Sequence, residues 1–434
     1  MLDIKFIREN TEAVKQGVSK KGEDTAKVDE AVALDEKRRQ LLQHSEQLKA
    51  RKNAVSAEVA KKKSKGARLP HEGNVGGQED ASAVFEEMRK VSDEIKSLDD
   101  ELATIEEQLR ATLLAIPNIP HESVPLGRTP AENVIVATWG APPVIDFQPK
   151  PHWELVEKLG IIDFPRGVKI TGAGFPVYVG KGAKLERALI NFFLDEADAA
   201  GYTELMPPHL VNAASATGTG QLPDKEDQMY VVAKDDFYLI PTAEVPVTNF
   251  YRDEILNEKQ LPIKMCAWTP CFRREAGSYG KDVRGLNRVH QFNKVELVKF
   301  VHPSTSYDEL EVLRTDAERL LQKLNLHYRV LLMCAGDLGF TQTKKYDLEV
   351  WALGQRKWLE VSSCSNFESY QARRMNIRFK PTAGGKPVVV HTLNGSGLAL
   401  PRIVAAIIEN YQTPEGKVIV PKILHKYTGF EIIG

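Results

Sequence analysis

Apolar residues recur every seven positions between about Val28 and Ile116, on a background of Ala, Glu, Lys and Gln that contains no proline before Pro70. Leu34, Leu41, Leu48 and Val55 form one such series; farther along, Met88, Ile95, Leu102 and Leu109 interleave with Val91, Leu98 and Ile105. These are the a and d positions of a coiled-coil seam, set among strong helix formers. Between the two halves lies Gly66-Ala-Arg-Leu-Pro-His-Glu-Gly-Asn-Val-Gly-Gly77, whose glycines and proline end one helix and reverse the chain. The pattern predicts an antiparallel helical hairpin over about 28–115, with helices of about 35 residues, roughly 50 Å long at 1.5 Å per residue. A seam this narrow cannot form a globular core.

After Ile116-Pro-Asn-Ile-Pro120 the pattern changes, and prolines up to Pro151 predict an extended connector. Beyond it, short apolar runs such as 346–351 and 358–361 alternate with amphipathic stretches such as 184–200 and 306–324. Hairpin-like spacing with little βαβ rhythm predicts an α+β fold on an antiparallel sheet flanked by helices. The expected division is a helical arm over 1–115 and a second domain over 116–434.

The formal charge of −1 on 434 residues creates no bulk field that draws the chain onto nucleic acid. Local segregation is another matter. From Asp35 to Arg68 there are eleven Lys or Arg against four acids, whereas Glu86 to Arg110 has nine acids against four bases. The cations thicken in Lys61-Lys-Lys-Ser-Lys-Gly-Ala-Arg68. Composition leaves two readings open: complementary e/g charges on a solvated helix pair, or a probe that replaces counterions on a nucleic-acid backbone. Arg38, Arg39, Arg51, Lys61, Lys62, Lys63 and Lys65 are the candidate contacts for the second. No apolar run approaches the roughly 20 residues of a membrane span. Cys266, Cys271, Cys334 and Cys364 lack CxxC spacing, and the N-terminus combines no basic start with an apolar run, so a cytoplasmic protein with ordinary buried thiols is expected.

GxxxxGK[ST] is missing, and Thr171-Gly-Ala-Gly-Phe-Pro-Val177 does not complete GxGxxG. Three other segments supply candidate chemistry. Gly201-Tyr-Thr-Glu-Leu-Met-Pro-Pro208 follows an amphipathic stretch. Phe272-Arg-Arg-Glu275 opens two strand-like runs joined by a basic, glycine-punctuated loop that closes at Phe292; arginine there can hold a phosphate, and the ring offers a face to a purine. Leu393-Asn-Gly-Ser-Gly-Leu-Ala-Leu-Pro-Arg402 precedes a helical stretch. These three resemble motifs 1, 2 and 3 of the class II aminoacyl-tRNA synthetases.

The resemblance implies dimerisation through the first motif, ATP as substrate, Arg273 on its α-phosphate, Arg274 and Glu275 beside the nucleotide, Phe292 beneath adenine with Val289 next to it, and Arg402 on the γ-phosphate. It also marks Arg273, Glu275 and Arg402 as the catalytic set. Pro401 stands where that class commonly has glycine, a departure compatible with the first turn of a helix. Thr242-Ala-Glu244, Glu296 and Ser396 resemble the serine-binding elements of the seryl-tRNA synthetase family, with Arg273 shared between serine and ATP. Glu360-Val-Ser-Ser363 resembles that family's EVSS segment, which implies Val361 and Ser362 near ATP and Glu360 with Ser363 on an ATP-bound Mg²⁺, suitable hard-oxygen chemistry.

Acids and hydroxyls suit a small substrate bearing an ammonium and a hydroxyl, and alanine would leave such acceptors unpaired. The resemblance spans essentially the whole chain. It implies a homodimer with tRNA bound across subunits, the arm reading the shape of tRNA(Ser), and charging of tRNA(Sec) where one exists. Two rivals have different signatures. An enzyme loading a carrier protein would lack the arm, and a coiled-coil scaffold with a degenerate enzyme domain would lose Arg273, Glu296 or Arg402. A threonine enzyme would carry a Cys/His/His zinc site, for which the sequence offers no convincing candidate.

Overall fold

A computed structural model describes residues 1–64, 75–276 and 284–434, without the side chains of 58–64 and 75–85. Its contacts group into two units, residues 3–15 with 24–116, and residues 1–2 and 16–23 with 117–434.

The first unit is built on two long helices, α1 (Ala26–Ser64) and α2 (Val75–Leu114). Val91, Ile95, Ile105 and Leu109 are buried on α2. Leu34, Leu41, Leu48 and Val55 are half-buried on α1. The second inward series on α1 is largely polar. Asp35 is fully buried and accepts from Arg8 at 2.5 Å and Arg38 at 2.7 Å, while buried Ser45 donates to Asp99 at 3.0 Å. Such pairs satisfy polar groups at seam positions, so hydrophobic periodicity alone overlooks them. Gly76 and Gly77, expected in the reversal, are helical residues of α2.

Arg38 and Arg51 are engaged with acids, Asp35 and Glu87 respectively, whereas Arg39 is exposed. Lys65 lies outside the described residues, as do the side chains of Lys61, Lys62 and Lys63.

The second unit is organised by an eight-stranded sheet: β1 (Val134–Trp139), β2 (Thr203–Glu204), β3 (Ile263–Phe272), β4 (Gln291–Val301), β5 (Tyr328–Leu332), β6 (Lys344–Ala352), β7 (Lys357–Asn366) and β8 (His391–Ala399). Their order is β1-β5-β6-β7-β8-β4-β3-β2, antiparallel except for β2 beside β3. The stretch expected to be a plain connector thus contributes edge strand β1, whose exposed Val134, Ile135 and Val136 conceal the usual in–out alternation. Helices α3 (Lys181–Ala199), α4 (Ser306–Lys323) and α5 (Leu400–Asn410) pack against the sheet. Pro401 occupies the first turn of α5, where proline's missing N–H and fixed φ cost nothing.

Strand alternation assigns each face its role. On β4, Val295 and Leu297 enter the hydrophobic core, whereas Lys294 and Glu296 point the other way. Two irregularities then adjust the alternation. Glu349 pairs with Glu360 and Leu348 with Ser362, so Val361 is an extra residue on β7. Lys294 pairs with Ala399 and Glu296 with Ser396, which leaves an extra residue on β8. Bulges re-aim the side chains that follow them.

On the core side, fully buried Leu313 of α4 lies against Gly395 of β8, where an added Cβ would sit 3.1 Å from both Leu313 and the Cys364 sulfur. Leu313→Ala should open a cavity beneath β8 and cost about 2–5 kcal/mol, read as a lower denaturant midpoint with an unchanged m-value.

Candidate active site

The polar side chains on the sheet's other face enclose a cavity of about 420 Å³. One part of its wall is a closed polar network. Glu296, fully buried on β4, accepts from Asn394 Nδ2 at 3.2 Å on one oxygen and from Thr242 Oγ1 at 3.1 Å on the other, where it also pairs with the Lys294 ammonium. Lys294 Nζ donates to Thr242 Oγ1 at 2.9 Å. A carboxylate removed from water is tolerable only when so completely surrounded. Asn394 must turn its NH₂ toward Glu296, because an ionised carboxylate only accepts; its Oδ1 is consequently aimed elsewhere, buried and without a partner among the described residues. Ser396 lies on the same wall.

Glu244 opens the short helix Glu244–Thr248, and its N–H donates to Thr242 Oγ1 at 3.2 Å. Gln371 donates to its Oε1 at 2.7 Å. Burial, and then the charge of Glu296, push the Glu244 carboxyl up to about 7. The pocket therefore holds one acid that ionises near neutrality, a state a cationic ligand would favour.

Cations dominate the rest of the wall. Arg273 Nε donates to the Pro241 carbonyl at 3.2 Å, and its guanidinium lies 5.2 Å from the Phe292 ring centroid. Arg402 donates to the Glu360 carbonyl at 2.7 Å and comes within 3.9 Å of its carboxylate. Burial works against ionisation of Glu360, but Arg402, Lys345 and Arg273 together hold its carboxyl below the usual carboxylate range. Because Val361 is the bulged residue, Glu360 and Ser363 both open on the cavity, though three positions apart. Across the ladder from Ser363, Asp347 pairs with Lys345 at 3.0 Å and keeps Oδ1 buried without a partner among the described residues. Burial, followed by Glu360, pushes Asp347 up to about 7.

The β3–β4 hairpin carries the loop over the cavity, with 277–283 outside the described residues. The segment leading into β4 is pinned by a buried histidine. His152 Nδ1 lies 2.7 Å from Glu409, and its Nε2 accepts the Leu286 N–H at 2.8 Å. These partners require the proton on Nδ1. Gly285 packs so closely that a Cβ would meet His152 Nε2 at 2.2 Å, and its φ of 64° independently favours glycine. Asn287 donates to Gln355, which donates in turn to Glu409 at 2.8 Å. Glu275, expected beside a nucleotide, pairs with Arg288 at 3.0 Å.

Of the residues singled out in the sequence, Thr242, Glu244, Arg273, Glu275, Val289, Phe292, Glu296, Glu360, Val361, Ser362, Ser363, Ser396 and Arg402 all line this cavity. Two do not. Ala243 is fully buried in a neighbouring apolar cluster. The Arg274 side chain is exposed and off the cavity wall, since consecutive residues of extended chain point to opposite sides. The sequence reading missed Lys225, Lys294, Lys345 and Asn394, which also line it. Lys294 and Asn394 were legible in principle, each standing two residues before a recognised site residue on a strand.

A mostly antiparallel sheet with cations and buried acids around one cavity, and a strand–loop–strand hairpin at its mouth, is the architecture of a class II aminoacyl-tRNA synthetase core. The family model for the tRNA synthetase class II core domain (G, H, P, S and T) matches residues 230–411, and the model for the seryl-tRNA synthetase N-terminal domain matches residues 1–120. The serine–tRNA ligase of Bacillus subtilis is 55% identical over 430 residues, 99% of this chain and 98% of that protein. The seryl-tRNA synthetase from Pyrococcus horikoshii, solved with ATP, aligns over 100% of this chain and 99% of its own at 38% identity and a TM-score of 0.91. The cytoplasmic serine–tRNA ligase from Naegleria fowleri, solved with AMP, aligns over 100% and 98% at 29% identity and a TM-score of 0.87. The chain belongs to the seryl-tRNA synthetase family.

Removing the imidazole at position 152 should free the Leu286 amide. In His152→Ala, hydrogen–deuterium exchange at Leu286 is expected to accelerate about 10-fold or more, consistent with a lost buried hydrogen bond worth about 1–3 kcal/mol, while amides in β6 keep their protection.

Proposed function

We propose that the cavity activates L-serine with ATP and transfers the seryl group to the 3′ end of tRNA(Ser). The observation that carries this reading is the joining, in one cavity, of a buried acid–hydroxyl pocket around Thr242, Glu244, Glu296 and Ser396 with a cationic wall around Arg273 and Arg402. The serine ammonium is assigned to Glu244, and the hydroxyl to the Glu296–Asn394–Ser396 side, where Asn394 Oδ1 offers an unused acceptor. A bound amino acid then presents its carboxylate to the α-phosphorus of ATP. Attack in line breaks the bond to the β-phosphate, giving seryl-adenylate and pyrophosphate. In the second step a ribose hydroxyl at the tRNA terminus takes the acyl group and AMP leaves. No protein base is required for the first step, because a carboxylate is already the nucleophile. Arg273 and Arg402 offset the charge that develops on the phosphates, and Phe292 supports the base.

A magnesium ion fits the donor set. Glu360 and Ser363 share the cavity through the β7 bulge, and they supply a carboxylate and a hydroxyl, hard oxygen ligands of the sort Mg²⁺ accepts beside phosphate oxygens. When bound, the ion supplies further charge neutralisation on the phosphates.

The helical arm of residues 1–115, with its basic helix α1, is assigned the variable arm of tRNA(Ser), and the same shape-based reading extends to tRNA(Sec) where one exists. Homodimerisation, with tRNA bound across subunits, is part of the same reading, and Met206 of the first motif, an apolar side chain left 87% exposed, supports a subunit contact there. No helix among the described residues is long and apolar enough to cross a membrane, and a cytoplasmic location suits substrates found there.

Amino-acid-dependent ATP–pyrophosphate exchange tests the reading. Exchange with serine alone is expected, abolished in Arg273→Ala and reduced at least 100-fold in kcat/KM by Glu296→Ala, a loss of about 2.7 kcal/mol or more at 1.36 kcal/mol per tenfold. Exchange with another amino acid would overturn the serine assignment.

The elevated Glu244 titration gives a second expectation. Below about 7 its carboxyl is protonated and offers no counter-charge; above it the anion receives the ammonium. Between pH 6 and pH 8 the ionised fraction rises about 10-fold, so the KM for serine should fall by about that factor. Glu244→Gln should raise the KM and flatten its pH profile.

A further inference from the structure

Behind Glu244 stands a side chain the proposed chemistry does not use. Gln371, on the short helix Tyr370–Met375, is 1% exposed, and every hydrogen-bonding direction of its amide that matters here is filled. Nε2 donates to Glu244 Oε1 at 2.7 Å and to the Thr219 carbonyl at 3.2 Å. Oε1 accepts from the Thr392 hydroxyl at 2.8 Å, and Thr392 is itself fully buried on β8. The orientation of the amide is chemically forced. A backbone carbonyl and a carboxylate can only accept, so a flipped amide would set oxygen against oxygen at two contacts.

We propose that Gln371 is a positioning residue for amino-acid binding: oriented by Thr392, it fixes one oxygen of Glu244 and thereby presents the other to the substrate ammonium. This inference rests on the assignment of the ammonium to Glu244. An acceptor held in one rotamer loses little conformational freedom when the ligand arrives, and a neutral donor does this without cancelling the charge the ligand needs. A cation in place of Gln371 would compete with the substrate for Glu244. The second Nε2 hydrogen adds a structural link. Thr219 closes the helix Ala213–Thr219, and the segment after it carries Gln221 and Lys225 onto the cavity wall, so one amide ties the base of that segment to the ammonium acceptor.

The test is serine-dependent ATP–pyrophosphate exchange in four variants of the full-length protein: Gln371→Leu, Thr392→Val, the two combined, and Glu244→Gln. Gln371→Leu is expected to raise the KM for serine about 10-fold, with the KM for ATP within 2-fold of the parent and kcat little changed. Thr392→Val removes only the orienting hydroxyl and should raise the serine KM about 3-fold, keeping the idea testable should the leucine variant not fold. The double variant should match Gln371→Leu within 2-fold, because the hydroxyl has nothing left to orient.

A serine KM unchanged in Gln371→Leu, while Glu244→Gln raises it, would overturn the role of Gln371 and spare that of Glu244. An unchanged serine KM in Glu244→Gln would instead overturn the ammonium assignment itself. Equal rises in the KM for serine and for ATP, or effects of Gln371→Leu and Thr392→Val that multiply in full, would show general structural damage rather than positioning.

Discussion

Glu296 is a carboxylate with no access to water, in the middle of β4, an interior strand of the sheet. Desolvating such a group is costly unless hydrogen bonds and opposite charge surround it, and its environment meets that demand through Lys294, Thr242 and Asn394. Each comes from a segment that must be in register for the network to close. Lys294 stands two residues away on the same strand, Asn394 lies on neighbouring β8, and Thr242 stands two residues before Glu244, where a short helix begins. A slip of β4 by one residue would exchange Lys294 and Glu296 for Val295 and Leu297, burying two charges in the apolar core. Sheet register and pocket chemistry are therefore one constraint.

Charge on the two sides of the cavity is tuned in opposite directions by the same physics. Burial disfavours every ionised acid there, and what differs is the company. Glu244 faces another acid and is pushed up to about 7, whereas Glu360 faces Arg402, Lys345 and Arg273 and is held low. On the proposed chemistry, the side that takes up an ammonium keeps a carboxyl that ionises readily when a cation arrives, and the side that faces phosphate keeps its acid charged and its arginines in place. The end of the loop joining β3 to β4 is anchored twice, at the Leu286 N–H through His152 and Glu409 and at the Asn287 carbonyl through Arg402, so its backbone is tied both to a buried histidine and to the cationic wall.

The arm is governed by a different economy. Its seam is only as wide as two helices, and α1 fills part of it with Asp35 and Ser45, each satisfied by a partner. Such pairs contribute little net stability compared with leucine, but they penalise alternative registers in which a buried acid would lose its arginines. Asp35 also engages Arg38, and Glu87 on the facing helix engages Arg51, so cations near one another in sequence are not equally free of protein contacts.

By itself the sequence determined the helical hairpin, because heptad spacing is a local property of consecutive turns. It also determined the antiparallel α+β class, and many of the residues that meet in the cavity were recognisable because their motifs are contiguous. Only the tertiary structure decided the rest. A buried Asp35 or Ser45 carries no hydrophobic signal. The exposed strand Val134–Trp139 shows no alternation. The bulge that brings Glu360 and Ser363 to one cavity exists only in the pairing of β6 with β7. Lys225, Lys345 and Gln371 became part of the site through folding of separated segments, since hydrogen bonds and Coulomb interactions act across space while a sequence records only neighbours along the chain. Arg274 and Ala243 show the converse. Each lies inside a recognised motif and is turned away from the cavity by the alternation of the backbone or the packing of the core.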